Sequence, residues 1–119
     1  MSEHHNFCMD YIEFPATDVA ATKSFYSQVF GWDFKDWGPG YTSFHDGRIA
    51  GGFNTEAQVA SGSKTTGALV VLYAESLDDT YKKVKGAGGR IVRETFDFPG
   101  GRRFHFADPN GNELAVWSE

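Results

Sequence analysis

Arg103 and His105 stand five and three residues ahead of an Asp-Pro-Asn-Gly-Asn segment at 108–112, within the run Arg103-Phe104-His105-Phe106. Alternation of polar and apolar side chains marks a strand with two unlike faces, so the guanidinium and the imidazole share one side. An imidazole titrates near neutral pH, which makes His105 the candidate acid or base and Glu13 the carboxylate that could orient or complement it. The same alternation assigns Tyr11, His45, Arg48, Tyr73, Glu113, Ala115 and Trp117 to the polar sides of their strands, and Tyr11 and Tyr73 would supply hydroxyl donors there. Two alternatives stay open. The set can be the solvated side of an antiparallel sheet, and Arg103 can pair with Glu13 or Glu113 and simply neutralise charge.

Other chemistry is easier to set aside. Cys8 is the single cysteine, which excludes an internal disulfide and a multi-cysteine metal site, and no neighbouring base marks it as a nucleophile. The stretches Gly86–Gly89 and Pro99–Gly101 do not join a strand to a helix as a phosphate loop requires, and read as a helix stop and a turn. Trp32, Trp37 and Trp117 are candidates for stacking on a ligand or for core and dimer contacts. Sixteen acidic against eleven basic side chains give a net charge of -5, which disfavours nucleic acid as a partner. No apolar run reaches the roughly 20 residues of a membrane span, and the first residues lack the basic-then-apolar pattern of a leader. His4 and His5 read as disordered terminal residues. The expectation is a cytoplasmic protein with no membrane partner, and its 119 residues suit one domain.

The elements that must position these residues repeat. Cys8–Phe14 reads as a strand, and Thr17 or Asp18 caps a helix with Val19, Tyr26, Val29 and Phe30 on one face, ending before Gly31. Strands at Trp32–Trp37, Tyr41–His45 and Arg48–Phe53 follow. The Asp46-Gly47 pair predicts a two-residue hairpin turn that sets His45 opposite Arg48, Phe44 opposite Ile49 and Ser43 opposite Ala50. After a Ser/Thr/Gly-rich connection at 55–67 come a strand at Ala68–Tyr73 and a helix that Ser76 and Asp79 open as a capping box. Leu77, Tyr81, Val84 and Ala87 line one face of that helix. Strands at Arg90–Phe96, Arg103–Ala107 and Asn112–Trp117 complete the second copy. The fold class is α+β, two βαβββ modules at about 8–54 and 68–118, with Phe44, Ile49, Val70, Leu72, Phe104, Phe106, Leu114 and Val116 turned to the helices.

Tyr11-Ile-Glu-Phe-Pro-Ala-Thr-Asp18, Phe25-Tyr26, Val29-Phe30-Gly31-Trp32, Ala87-Gly88-Gly89 and the 108–112 turn, in that order, resemble the glyoxalase/bleomycin-resistance/dioxygenase proteins, also called vicinal oxygen chelate proteins. The resemblance covers nearly the whole chain. It implies a cupped mixed sheet with helices outside, a small-molecule ligand, and a homodimer that covers exposed strand edges. It also implies a divalent metal, but the matching ligand places hold Tyr11, Leu69, Ala115 and a residue near Ala50 to Gly52. Alanine and leucine cannot bind an ion. No cofactor is therefore expected, the alternative being a divalent metal held in an unfamiliar way by Glu13, His45, His105 or Glu113. In the resembling fosfomycin-resistance transferases the places of Arg103 and His105 contact substrate, so the pair could hold a carboxylate or phosphonate. Three functions remain open: a metal-free binding protein of the bleomycin-resistance type, whose acidity would suit a cationic guest; a lyase-like enzyme related to lactoylglutathione lyase, using His105; and a module whose cavity serves packing.

Overall fold

The computed structural model describes residues 6, 7, 9–56 and 68–119. The expected strand start at Cys8, the terminal His4 and His5, and most of the 55–67 connection lie outside them. The elements are β1 (Tyr11–Pro15), α1 (Val19–Phe30), β2 (Asp33–Gly38), β3 (Tyr41–His45), β4 (Ala50–Asn54), β5 (Val70–Tyr73), α2 (Leu77–Gly86), β6 (Arg90–Phe98), β7 (Gly101–Ala107) and β8 (Glu113–Ser118). They form two compact units, β1 to β4 and β5 to β8, each a four-stranded mixed sheet with one helix. Strand order is β1-β4-β3-β2 in the first and β5-β8-β7-β6 in the second. In each, three strands meander antiparallel and the first strand joins the last in parallel. The fold is α+β, with the βαβββ unit repeated.

The N-terminal unit is built on aromatic packing. Asp18 is the N-cap of α1, its carboxylate accepting from the Ala21 N–H at 3.0 Å. The helix buries Thr22, Phe25 and Tyr26, whereas Val19, Val29 and Phe30 are only half-buried. The Tyr26 ring stacks on Trp32 at 4.6 Å, and Trp32 stacks on Phe44 at 4.4 Å. Phe53, fully buried, lies 5.1 Å from Tyr26 and 5.2 Å from Phe14. Trp32 is thus core.

The β3–β4 connection corrects the expected hairpin. Its loop is four residues long, Asp46 to Ile49, so His45 pairs with Ala50, Phe44 with Gly51 and Ser43 with Gly52. The Asp46 carboxylate accepts from the Arg48 and Ile49 N–H groups at 2.8 and 2.7 Å, and the Asp46 N–H returns to the Ile49 carbonyl at 3.1 Å. These bonds close a wider turn than two residues permit. Arg48 and Ile49 are therefore loop residues. Gly51 is required opposite Phe44, because a Cβ there would collide with the Phe44 ring and the Ile12 carbonyl.

In the C-terminal unit Ser76 caps α2, accepting from the Asp79 N–H at 3.3 Å, and α2 buries Leu77 and Val84 over β6, β7 and β8. Phe104, Phe106, Leu114 and Val116 are fully buried on the same sheet face. The β7–β8 hairpin is set by a buried turn: Asp108 Oδ1 accepts from the N–H groups of Asn110 and Asn112, both at 2.9 Å. Its Oδ2 accepts from the Asn112 side chain at 3.2 Å. Replacing Asp108 by Ala leaves buried N–H donors unpaired, and should cost about 3 kcal/mol of stability in urea unfolding. A loss below about 1 kcal/mol would show that the turn does not hold the hairpin.

Candidate functional site

Register decides which side chains share a face. Tyr11 pairs with Ala50 and Ala50 with His45, while Glu13 pairs with Gly52 and Gly52 with Ser43. Side chains of paired residues point the same way, so Tyr11, Glu13, Tyr41, Ser43 and His45 occupy the face opposite the aromatic core. The Tyr41 hydroxyl donates to Glu13 Oε2 at 2.9 Å, and the Tyr11 hydroxyl completes the chain by donating to Tyr41. Desolvation pushes Tyr41 well above the usual tyrosine range, and the hydrogen bonds to Tyr11 and Glu13 add to the shift. Gly52 makes room for this chain: a Cβ there would collide with Tyr41 Oη and stand 2.8 Å from Tyr11 Oη. His45 is exposed and its Nδ1 accepts from the Gly47 N–H at 3.0 Å, while Arg48 is exposed in the loop. A hollow of about 560 Å³ opens on this face, bordered by Tyr11, Lys35, Trp37, Tyr41, Ser43 and His45 among others.

On the C-terminal sheet Arg103 pairs with Trp117, His105 with Ala115 and Ala115 with Val71, which puts Arg103, His105, Glu113, Trp117 and Tyr73 on the face away from α2. His105 Nδ1 lies 2.8 Å from Glu113 Oε2, and both side chains are about nine-tenths buried. With a carboxylate acceptor at Nδ1 the proton sits on that nitrogen, and Nε2 is the free end of the ring. Glu113 is the carboxylate at His105, whereas Glu13 is the acceptor for Tyr41. Among the described residues Arg103 forms no ion pair with Glu113. Three buried polar atoms have no hydrogen-bond partner among the described residues: Arg103 Nε, His105 Nε2 and Glu113 Oε1. The Arg103 guanidinium lies 5.3 Å from the Phe96 ring and 5.6 Å from Phe98, and Phe96 is 5.8 Å from the imidazole. Trp117 meets Tyr73 at 5.1 Å and Phe98 at 6.1 Å, both edge-on. A pocket of about 330 Å³ is bordered by Val71, Phe98, Gly100, Arg103, Trp117 and Glu119.

The residues present do not fit the metal that the family resemblance implies. Ala115, opposite His105, ends at its Cβ, and Leu69 precedes β5 with an apolar side chain. Gly52 and Ala50 carry no donor, and the Tyr11 hydroxyl is spent on Tyr41. Among the described residues no three of His, Cys, Asp or Glu group as an ion site.

A model of the Glyoxalase/Bleomycin resistance protein/Dioxygenase superfamily matches residues 9–116. The chain belongs to that superfamily. It is 32% identical over 124 residues to the anthracycline biosynthesis protein DnrV of Streptomyces peucetius, covering 90% of this chain and 45% of that one. The chain spans about half the length of the curated relatives it matches. A glyoxalase-related enzyme from Fulvimarina pelagi superposes with a TM-score of 0.76 at 19% identity, over 95% of this chain and 88% of that one. The fosfomycin resistance protein FosX of Mesorhizobium loti superposes at 0.74 and 14% identity, over 97% and 94%. At these identities the structures speak for the shared fold alone.

Within this superfamily member, sequence reasoning missed Tyr41, Phe96 and Phe98. Tyr41 was within reach, since it shares strand parity with His45. The two phenylalanines were not, because β6 shifts register between Ile91 and Arg93 and again between Arg93 and Phe96.

The Tyr41 shift makes a pH prediction. The folded state holds the Tyr41 proton more tightly than the unfolded chain, whose tyrosine titrates near 10. The stability this contributes is present in full below pH 10 and is lost as pH rises above it. Urea midpoints should therefore fall more steeply above pH 10 for the wild type than for Tyr41→Phe. Parallel curves would show that the chain from Tyr11 to Glu13 does not hold this proton.

Proposed function

We propose that this chain binds a small organic anion on the polar face of its C-terminal sheet, without the family metal. The observation that carries this reading is Arg103, a cation at a pocket wall whose Nε is buried and unpartnered while its guanidinium lies near the Phe96 and Phe98 rings. Leaving a buried donor unpaired costs about 1–3 kcal/mol, more for a charged one, and a guest's carboxylate or phosphonate would offset that cost. The aromatic walls, Phe98 and Trp117, suit an apolar body, and the pocket's size lies at the small end of ligand sites, roughly 300–1,000 Å³. The 32% identity to a protein named for anthracycline biosynthesis supports a small molecule as the guest's general class.

A second reading, acid–base turnover of that guest, is favoured by the His105–Glu113 pair. Glu113 fixes the ring and would stabilise the imidazolium, leaving Nε2 to exchange a proton. Trp117 then serves as a wall in either reading, with Tyr73 packed edge-on against it.

Calorimetric titration with phenylpyruvate and phenylphosphonate tests the site. Arg103→Ala should weaken whichever anion binds by about ten- to hundredfold, the worth of a hydrogen bond to a charged group, and Arg103→Lys should fall between. Proton NMR of the same mixtures reads turnover. Binding that Arg103→Ala leaves unchanged, or no binding of either anion, would overturn the assignment.

A further inference from the structure

We propose that the guest of the C-terminal polar face is a 2-amino acid, its carboxylate on Arg103 and its ammonium on Glu113. The inference rests on the reading of Arg103 as an anion site, and adds what the neighbouring buried atoms require. Glu113 Oε1 and His105 Nε2, like Arg103 Nε, are buried without a hydrogen-bond partner among the described residues. The three are not alike. Arg103 Nε donates, whereas a carboxylate oxygen only accepts. The Nδ1 proton of His105 is held by Glu113 Oε2 at 2.8 Å, so Nε2 of the neutral ring is an acceptor as well. Glu113 cannot swing Oε1 toward another donor without straining the bond at Oε2. One positively charged donor therefore stands beside two acceptors, one of them charged.

A plain carboxylate answers only the donor. It would satisfy Arg103 while bringing a second negative charge toward Glu113, which costs energy in a dry site. A guest with N–H donors next to its carboxylate answers the acceptors too. A hydroxyl offers one proton, but an ammonium offers three, together with the charge that a buried carboxylate binds most strongly. The dimensions agree. Arg103 and His105 are two residues apart on β7, roughly 7 Å along a strand. The Phe96 ring borders both, 5.3 Å from the guanidinium and 5.8 Å from the imidazole. Two hydrogen bonds of about 2.9 Å with a 2-amino acid headgroup between them cover a span of that order. Phe98 and Trp117, at the pocket beside Arg103, suit an apolar side chain, and Glu119 also borders that pocket, so it is not lined by positive charge alone.

Calorimetric titration of the full chain with L-phenylalanine, L-phenyllactate and 3-phenylpropionate tests this, because the three share a carboxylate and a ring and differ at the carbon between them. L-phenylalanine should bind about ten- to hundredfold more tightly than 3-phenylpropionate, the worth of a hydrogen bond to a charged group, with L-phenyllactate between. Glu113→Gln, which keeps the shape and removes the charge, should abolish most of that preference. Arg103→Ala should weaken all three together and keep the preference. If the wild type bound L-phenylalanine no better than 3-phenylpropionate, and Arg103→Ala weakened both, the amino-acid assignment would fall and the anion site would stand. A preference that survives in Glu113→Gln would overturn the assignment as well. No binding of any of the three would overturn the assignment and the anion site together.

Discussion

The Asp108 carboxylate, accepting from the backbone of Asn110 and Asn112 inside a buried turn, fixes how β7 meets β8, and the C-terminal polar face takes its arrangement from that pairing. Ala107 is set against Glu113 and His105 against Ala115, so Glu113 reaches the imidazole diagonally at 2.8 Å. A slip of one residue would turn Phe104 and Phe106 out of the core and send Arg103 and His105 in. The apolar face, with four fully buried side chains, makes that slip prohibitively costly. Burial on one side of the sheet thus dictates chemistry on the other.

The N-terminal unit obeys the same constraint with glycine as its device. Gly51 admits the Phe44 ring on the core side, and its neighbour Gly52 admits the Tyr11 and Tyr41 hydroxyls on the polar side. Two adjacent glycines therefore serve opposite faces of one strand. Around the matching places where the family resemblance implies metal ligands, this chain carries a hydrogen-bonded phenol pair backed by Glu13.

Much of this was legible from alternation and punctuation. The caps at Asp18 and Ser76, the strand at Tyr41–His45 and the polar placement of Arg103 with His105 follow from period-two patterning and short capping signals that depend on neighbours in sequence. What escaped depends on local backbone accidents. Asp46 accepts two N–H groups and widens a turn that its sequence suggested was tight. Register shifts break the parity of β6, so Phe96 and Phe98 could not be placed by counting. The partner at His105 was missed for a different reason: Glu13 was named by residue type, whereas the β7–β8 register that brings Glu113 to 2.8 Å from the imidazole is read only from the fold.

The proposed metal independence is the claim on which the functional reading turns, because an ion would claim the same polar groups that are assigned here to an organic anion. Its support is the donor set itself: alanine, leucine and glycine where ligands are implied, and no third ligand beside His105 and Glu113 among the described residues. Elemental analysis of the purified full chain, paired with its melting temperature before and after a chelator, tests this most directly. The account predicts divalent metal well below one equivalent per chain and an unchanged melting temperature. One equivalent of zinc, nickel, manganese or iron per chain, with a melting temperature that falls on chelation, would contradict it.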